Sequence, residues 1–277
     1  MTDSKVKIID GKALSEKILL KLKDQISKLK HPPGLAVVLI GDDPASHLYV
    51  KTKKKAAQKV GINFNDYLCG GKFYPDITES EIIKMIDFLN KDSIINGIIV
   101  QLQIPDKFNT KKIIEHVDPK KDVDGFHPKN KSIVSPLIQA IDFALKSTGK
   151  NLEGKTGIII AKNPIFSEPL KNSLKSLGLK IEIVKPDSKN LKSKTTKADI
   201  LISVVGKKHF VKKDMVKDGA ILIDVGTNLI GERKWAGDID PKAAQKASFI
   251  TPVPGGIGPL TVAFLLKNTF EIAKKNQ

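Results

Sequence analysis

Leu35-Ala36-Val37-Val38-Leu39-Ile40-Gly41-Asp42-Asp43-Pro44-Ala45-Ser46-His47-Leu48-Tyr49-Val50-Lys51-Thr52-Lys53 runs from an unbroken apolar segment through a short polar turn into a helix. An apolar run of this length, closed by turn residues, reads as a strand buried on both faces, the pattern of a parallel sheet covered by helices. Asp43 can cap the helix, and Pro44 fits its first position, where no amide hydrogen is needed. Steps of three and four residues place Ser46, Tyr49 and Lys53 on one helical face, a phenol one turn before an amine. Such a face can hold a flat ring and change its charge. Taken alone it also reads as a solvated, lysine-rich face, which is how Lys51, Lys54 and Lys55 read.

The alternation continues in both directions. Helical periodicity covers Ala13 to Leu29 ahead of the strand, and a further strand follows around Ile62 to Leu68. Thr78 and Glu81 have capping-box spacing and open a helix to about Asn90, with another strand from Gly97 to Leu102. After Pro136 a helix runs to about Ser147. A second series then has strands near Thr156 to Ala161, Lys180 to Val184, Ile200 to Val205 and Ala220 to Asp224. Strand-helix repetition predicts parallel sheets, and the second series reads as a dinucleotide-type domain. Pro259 opens a last helix to about Lys275, with Leu260, Ala263, Phe264 and Leu266 on its apolar face. No internal repeat or low-complexity linker interrupts the pattern.

A chain of 277 residues suits one large or two medium α/β domains with real cores. No apolar run approaches the length of a membrane span. Met1-Thr2-Asp3-Ser4-Lys5 has neither the apolar core of a signal peptide nor an arginine-rich transit pattern, so a soluble cytoplasmic protein is expected. Cys69 is the only cysteine, which excludes an intrachain disulfide and a thiolate zinc cluster; in an apparent strand it reads as core packing. His31, His47, His116 and His209 show no metal-ligand spacing, and no metal is expected. The formal charge of +17 raises nucleic-acid binding as an alternative. Against it, Arg233 is the sole arginine and the lysines are spread over most helices, without the forked donors that read phosphates and bases.

Three further segments carry the functional signal: Val100-Gln101-Leu102, Asp122-Val123-Asp124-Gly125-Phe126-His127-Pro128, and Thr251-Pro252-Val253-Pro254-Gly255-Gly256-Ile257-Gly258-Pro259-Leu260-Thr261. By itself Asp-Gly is a turn and Pro-Gly-Gly a loop. In register with the Tyr49-Lys53 helix, they make the chain closely resemble the bifunctional methylenetetrahydrofolate dehydrogenase/cyclohydrolase family, from about Ile8 to the last helix. The resemblance implies an α/β fold of two domains. A three-layer αβα folate domain would comprise residues 1–135 and 259–277, and a Rossmann-like dinucleotide-binding domain residues 136–258. The last helix would pack back on the first domain.

It also implies chemistry: hydride transfer from methylene-tetrahydrofolate to a nicotinamide cofactor, then addition of water to the methenyl cation to give formyl-tetrahydrofolate. By motif position Lys53 is the expected central catalytic group, Tyr49 stacks beside the folate ring, Gln101 hydrogen-bonds within reach of Lys53, and Asp124 anchors the pterin donors. Ser46, Val100, Leu102, Pro254, Gly255 and Gly256 complete the expected substrate wall. Independently of the resemblance, a lysine buried among other ammonium groups has its pKa lowered and can exchange protons near neutrality. A carboxylate can accept paired hydrogen bonds from an aminopyrimidine edge, and a glutamine amide donates and accepts at once. Gln101 also reads simply as a polar residue ending a strand, and His127, followed by Pro128, as a turn or packing residue. Pro254 and Pro259 stiffen a glycine loop that leads a helix amino terminus toward a ligand.

Expected cofactor contacts are Ala161, Lys162, Asn163, Ser188, Val205, Gly226, Thr227 and Thr261, with NADP favoured and NAD possible. Here the chain departs from the family, which carries Gly-Arg-Ser and a later glycine where this sequence has Ala161-Lys162-Asn163-Pro164-Ile165-Phe166-Ser167-Glu168-Pro169. Lys162 can meet the extra phosphate of NADP as a point charge but lacks the bidentate fork. The segment Lys131 to Pro136 is also shorter than the family's loop. Both departures flank the cofactor, so a cyclohydrolase without dinucleotide binding is the alternative reading. From another class stands a basic nucleic-acid-binding protein on an enzyme scaffold. The expected partners are tetrahydrofolate one-carbon derivatives and a second copy in a homodimer, with no membrane and no specific nucleic acid. A positive field would help to draw in an anionic folate.

Overall fold

The computed structural model describes residues 6–72, 74–130, 132–231 and 234–277, so that Met1 to Lys5, Lys131 and Arg233 lie outside the described residues. In chain order the first half contains β1 (Lys7–Ile8), α1 (Gly11–Ile26), β2 (Gly34–Ile40), α2 (Pro44–Val60), β3 (Asn63–Cys69), α3 (Glu79–Lys91), β4 (Gly97–Gln101) and α4 (Thr110–Ile114). The second half contains α5 (Pro136–Ser147), β5 (Thr156–Ala161), α6 (Pro164–Ser176), β6 (Lys180–Val184), α7 (Leu191–Thr195), β7 (Ile200–Val204) and β8 (Ile221–Asp224). It closes with β9 (Asn228–Leu229), β10 (Trp235–Ala236), α8 (Pro241–Ala244), β11 (Phe249–Ile250) and α9 (Ile257–Lys275). Two compact units result. One is Ser15–Pro136 with Val262–Gln277; the other is the described residues up to Leu14 with Leu137–Thr261.

In the first unit three parallel strands lie in the order β3-β2-β4, and β2 is buried throughout. Because strand side chains alternate, Leu35, Val37 and Leu39 pack with Leu19, Leu22 and Ile26 of α1, Val50 and Ala57 of α2, and Leu266 and Phe270 of α9. Ala36, Val38 and Ile40 face the other way, against Ile82, Ile86 and Leu89 of α3 and Ile113 of α4. The result is the expected αβα sandwich, with the last helix in it.

Local chemistry sets the helix ends. Asp43 Oδ2 accepts the Ser46 amide at 2.7 Å, Pro44 occupies the first turn, and Gly61 closes α2 in the left-handed region at φ 88°. The Thr78–Glu81 capping box is reciprocal, with Glu81 N donating to Thr78 Oγ1 at 3.3 Å and Thr78 N to Glu81 Oε2 at 2.8 Å. Ile86, fully buried on α3, contributes about 1.5–3 kcal/mol through the area it removes from water.

In the second unit six parallel strands lie in the order β1-β11-β8-β7-β5-β6. The chain leaves β5 toward β6 on one side and returns to β7 on the other. That reversal is the topological switch point of a Rossmann-like sheet, where ligands meet the carboxyl ends of strands.

The largest difference from the sequence division is at the amino-terminal segment, which that division places with the first domain. Lys7 and Ile8 instead extend the second sheet, in register with Phe249 and Ile250. So short a strand carries no readable periodicity, and its partner lies near the other end of the chain. The remaining ends differ slightly, with Pro136 grouped in the first unit and residues 259–261 in the second. Among the described residues no helix is long and apolar enough to cross a membrane.

Candidate active site

Within the first unit, α2 and the carboxyl end of β4 bring Lys53 and Gln101 together. Lys53 is 5 % exposed, and its Nζ donates to Gln101 Oε1 at 2.8 Å. The Gln101 carboxamide is fixed in turn by donation from Nε2 to its neighbour's carbonyl, Leu102 O, at 2.5 Å. Tyr49, one turn before Lys53, presents its ring face 4.9 Å from the ammonium, an arrangement that favours a cation over the π cloud. Burial pushes the Lys53 amine down to about 8 although Asp124 pulls it upward. Burial raises Asp124 to about 6, Lys53 opposes that rise and Asp122 adds to it. An amine and a carboxylate on either side of neutrality are thus placed to exchange charge in one site.

The Asp124 loop is built by a residue to which the sequence reading gave no role. Asp122, 4 % exposed, accepts the Asp124 and Gly125 amides on Oδ1 at 3.2 and 3.0 Å. Its Oδ2 accepts the His127 amide at 2.9 Å and Asn130 Nδ2 at 3.0 Å. Gly125 turns the chain at φ +73°, and a Cβ there would sit 2.9 Å from Ser135 N, so both conformation and space require glycine. Asn268 on α9 donates to Val123 O at 2.9 Å and to Val134 O at 3.1 Å, tying the two ends of this loop together. His127 is a buried structural member: Nδ1 accepts the Lys129 amide at 3.0 Å, which leaves Nε2 to donate to Glu115 O at 3.2 Å. An Asx turn from Asp122 is the local signal that could have flagged it.

Ser46 is buried on α2, Val100 is buried at the end of β4, and Leu102 follows it half-buried. The Leu102–Gln103 peptide is cis. Pro254, Gly255 and Gly256 belong to the second unit, where Val253–Pro254 is cis and Gly255 O accepts the Lys12 amide at 2.9 Å. The glycine of Gly256 has an internal reason, since a Cβ there would lie 2.5 Å from Pro252 O.

Except for Thr261, the expected cofactor residues lie at or after the carboxyl ends of strands in the second sheet. Ala161 ends β5 and Lys162 and Asn163 follow it, Ser188 lies beyond β6, Val205 follows β7, and Gly226 and Thr227 follow β8. Thr261 lies on α9 and donates to Ile257 O one turn back. Among the described residues the only non-glycine with positive φ is His209, so the Ala161-Lys162-Asn163 turn is built without a left-handed residue. Ala161 is buried, Lys162, Asn163 and Thr227 are exposed, and α6 begins immediately after the turn. Exposed donors beside a helix amino terminus at the switch point fit a dinucleotide phosphate despite the missing glycines.

A buried lysine paired with a glutamine at a strand end in one parallel-sheet unit, with a Rossmann-like sheet in the other, is the architecture of two-domain α/β dehydrogenases. The chain belongs to the tetrahydrofolate dehydrogenase/cyclohydrolase family: residues 9–124 match its catalytic domain and residues 137–277 its NAD(P)-binding domain. It is 42 % identical to the bifunctional protein FolD of Geotalea daltonii, over 97 % of this chain and 99 % of that protein. Among solved structures it is similar to bifunctional FolD from Campylobacter jejuni, at 38 % identity and a TM-score of 0.91, covering 98 % and 100 % of the two chains. The methylenetetrahydrofolate dehydrogenase-cyclohydrolase of Trypanosoma brucei, solved with NADP and an inhibitor, is 27 % identical with a TM-score of 0.90 and covers 98 % of each chain.

Proposed function

We propose that this chain carries out both reactions of its family, oxidising methylene-tetrahydrofolate with NADP and hydrolysing methenyl-tetrahydrofolate to formyl-tetrahydrofolate. The observation that carries this reading is the buried Lys53 amine, lowered to about 8 and bonded to Gln101. In the hydrolytic step Lys53 in its neutral form takes a proton as water adds to the methenyl carbon, and returns it as the ring carbon-nitrogen bond opens. Gln101 holds the amine in place, the Tyr49 ring stacks beside the folate, and Asp124 accepts the pterin donors. Ser46, Val100, Leu102, Pro254, Gly255 and Gly256 complete the folate contacts.

Bound NADP supplies the hydride acceptor. The residues proposed to hold it are Ala161, Lys162, Asn163, Ser188, Val205, Gly226, Thr227 and Thr261, with the Lys162 ammonium favouring the extra phosphate of NADP over NAD. A homodimer in the cytoplasm is part of the same proposal, resting on family resemblance, and light scattering on purified protein checks its mass.

The deciding experiment measures methylene-tetrahydrofolate oxidation with NADP and NAD in parallel with loss of methenyl-tetrahydrofolate absorbance on one preparation. Reduction of NADP together with hydrolysis is expected. Hydrolysis with neither nucleotide reduced would select the cyclohydrolase alone. Absence of both, with salt-sensitive binding of RNA or DNA, would overturn the proposal.

A further inference from the structure

Beneath the carboxyl edge of the second sheet lie two buried aspartates that neither the folate chemistry nor the expected cofactor contacts use. Asp238, with no exposed surface, accepts donors from two neighbouring strand ends. Its Oδ2 receives Ser203 Oγ at 2.9 Å, Val205 N at 2.7 Å and Gly206 N at 3.2 Å. Its Oδ1 receives Lys207 N at 2.9 Å and Asn228 Nδ2 at 3.1 Å. Asp224, 3 % exposed, holds Asp238 in turn: Oδ1 accepts the Asp238 and Gly226 amides at 3.0 and 2.9 Å, and Oδ2 accepts the Ile239 amide at 2.8 Å. The glycines match this packing. A Cβ on Gly226 would lie 2.2 Å from Asp238 Oδ1, and one on Gly237 would lie 2.0 Å from Asp224 Oδ2.

We propose that Asp238 is a positioning residue for dinucleotide binding, its carboxylate fixing the loops after β7 and β8 in the shape that receives the cofactor. The inference rests on the reading that this unit binds NADP. Successive amides of Val205, Gly206 and Lys207 converge on one carboxylate, so the loop is set before any ligand arrives, and the ordering cost of binding falls. An ionised carboxylate offers only acceptors, and each of its partners here is a donor. Asp238→Asn places an NH2 group against at least two of those donors whichever way the amide turns. The loops must then move. Lys53, Gln101 and Asp124 belong to the other unit, so hydrolysis, which needs no dinucleotide, serves as the internal control.

The test is titration of NADPH fluorescence on wild type, Asp238→Asn and Ser203→Ala, with hydrolysis of methenyl-tetrahydrofolate measured alongside. Asp238→Asn is expected to weaken NADPH binding and raise the KM for NADP by about tenfold or more, with the hydrolysis rate retained. Ser203→Ala, which removes one donor, should weaken binding by about threefold. Unchanged NADPH affinity in a folded Asp238→Asn protein would overturn the inference. If that variant loses hydrolysis together with binding, Ser203→Ala decides: weaker NADPH binding with intact hydrolysis supports the inference, and unchanged binding overturns it. Wild type that binds NADPH without oxidising methylene-tetrahydrofolate contradicts the proposed activity alone, and the variants still decide the role of Asp238. Wild type that does not bind NADPH overturns both.

Discussion

The ammonium of Lys53 and the carboxamide oxygen of Gln101 lie 2.8 Å apart in a buried setting, and the carboxamide's own nitrogen is committed to Leu102 O. That second bond decides which end of the amide meets the lysine. With Nε2 donating to a carbonyl, only Oε1 is left to face Nζ, and Gln101 itself brings no formal charge to the amine. Gln101 therefore orients Lys53 while leaving its pKa to be set by burial and Asp124.

Lys53→Met keeps the apolar stem and removes the proton carrier. Hydrolysis of methenyl-tetrahydrofolate should fall by about 10²–10⁴-fold, the usual contribution of a positioned acid-base group. Circular dichroism should stay that of the wild type. A rate equal to wild type would refute the role given to Lys53.

The pH profile follows from the two shifted groups. With Lys53 at about 8, the neutral fraction grows as pH rises, so hydrolysis should climb toward pH 8 and level off above it. With Asp124 at about 6, the KM for the folate should increase as pH falls through 6 and the anchor is protonated. Asp124→Asn removes the attraction that raises Lys53, so the kinetic midpoint should move below 8. A midpoint that stayed put would separate the two groups.

The same shifts predict the sign of the stability change. Lys53 folds with a pKa below its ordinary 10.5, so the native state binds fewer protons than the unfolded chain between about 8 and 10.5, and its contribution to stability improves as pH rises through that window. Asp124 folds above its ordinary 3.8, so its contribution is most favourable below 3.8 and declines as pH rises to about 6. Comparing urea midpoints of wild type and Asp124→Asn across pH 4 to 7 checks this. The variant should gain on wild type toward neutrality.

Gln101→Glu would put an anion against the lysine in place of a neutral acceptor. The Lys53 pKa should rise, hydrolysis at pH 7 should drop, and the midpoint of the profile should shift above 8. A profile with the wild-type midpoint would show that the side chain at position 101 does not lie against the amine in the working enzyme.

Asp122→Ala removes the acceptor on which the Asp124, Gly125 and His127 amides converge. Leaving buried amides without partners should cost about 2–4 kcal/mol, read as a lower urea midpoint. The KM for the folate should also rise, because Asp124 loses its placement. Unaltered stability would mean that the loop holds its shape without Asp122.

Much of the fold was legible because its signals are local. The apolar run Leu35 to Ile40, the Asp43 cap with Pro44, the Thr78–Glu81 box and the 46/49/53 face each depend on neighbours within about one turn. Strand β1 was not legible, because among the described residues it pairs with Phe249–Ile250, far along the chain. Asp122 stood within a motif singled out for Asp124, yet its role depends on burial and on amides that close around it. Asp224 and Asp238 carried no sequence signal, since each is defined by backbone donors that only the folded sheet assembles.

By itself the sequence determined the strand-helix alternation, the helix ends and which side chains share the Tyr49–Lys53 face, since these follow from backbone geometry over a few residues. The contact of Gln101 with Lys53, across a separation of 48 residues, was pointed to by the family resemblance and by no local pattern, and tertiary structure alone decided that Asp238 would gather the amides after Ser203. The physical reason is desolvation. A charge or an amide acquires its energetics from what replaces water around it, and that replacement exists only once remote segments have packed.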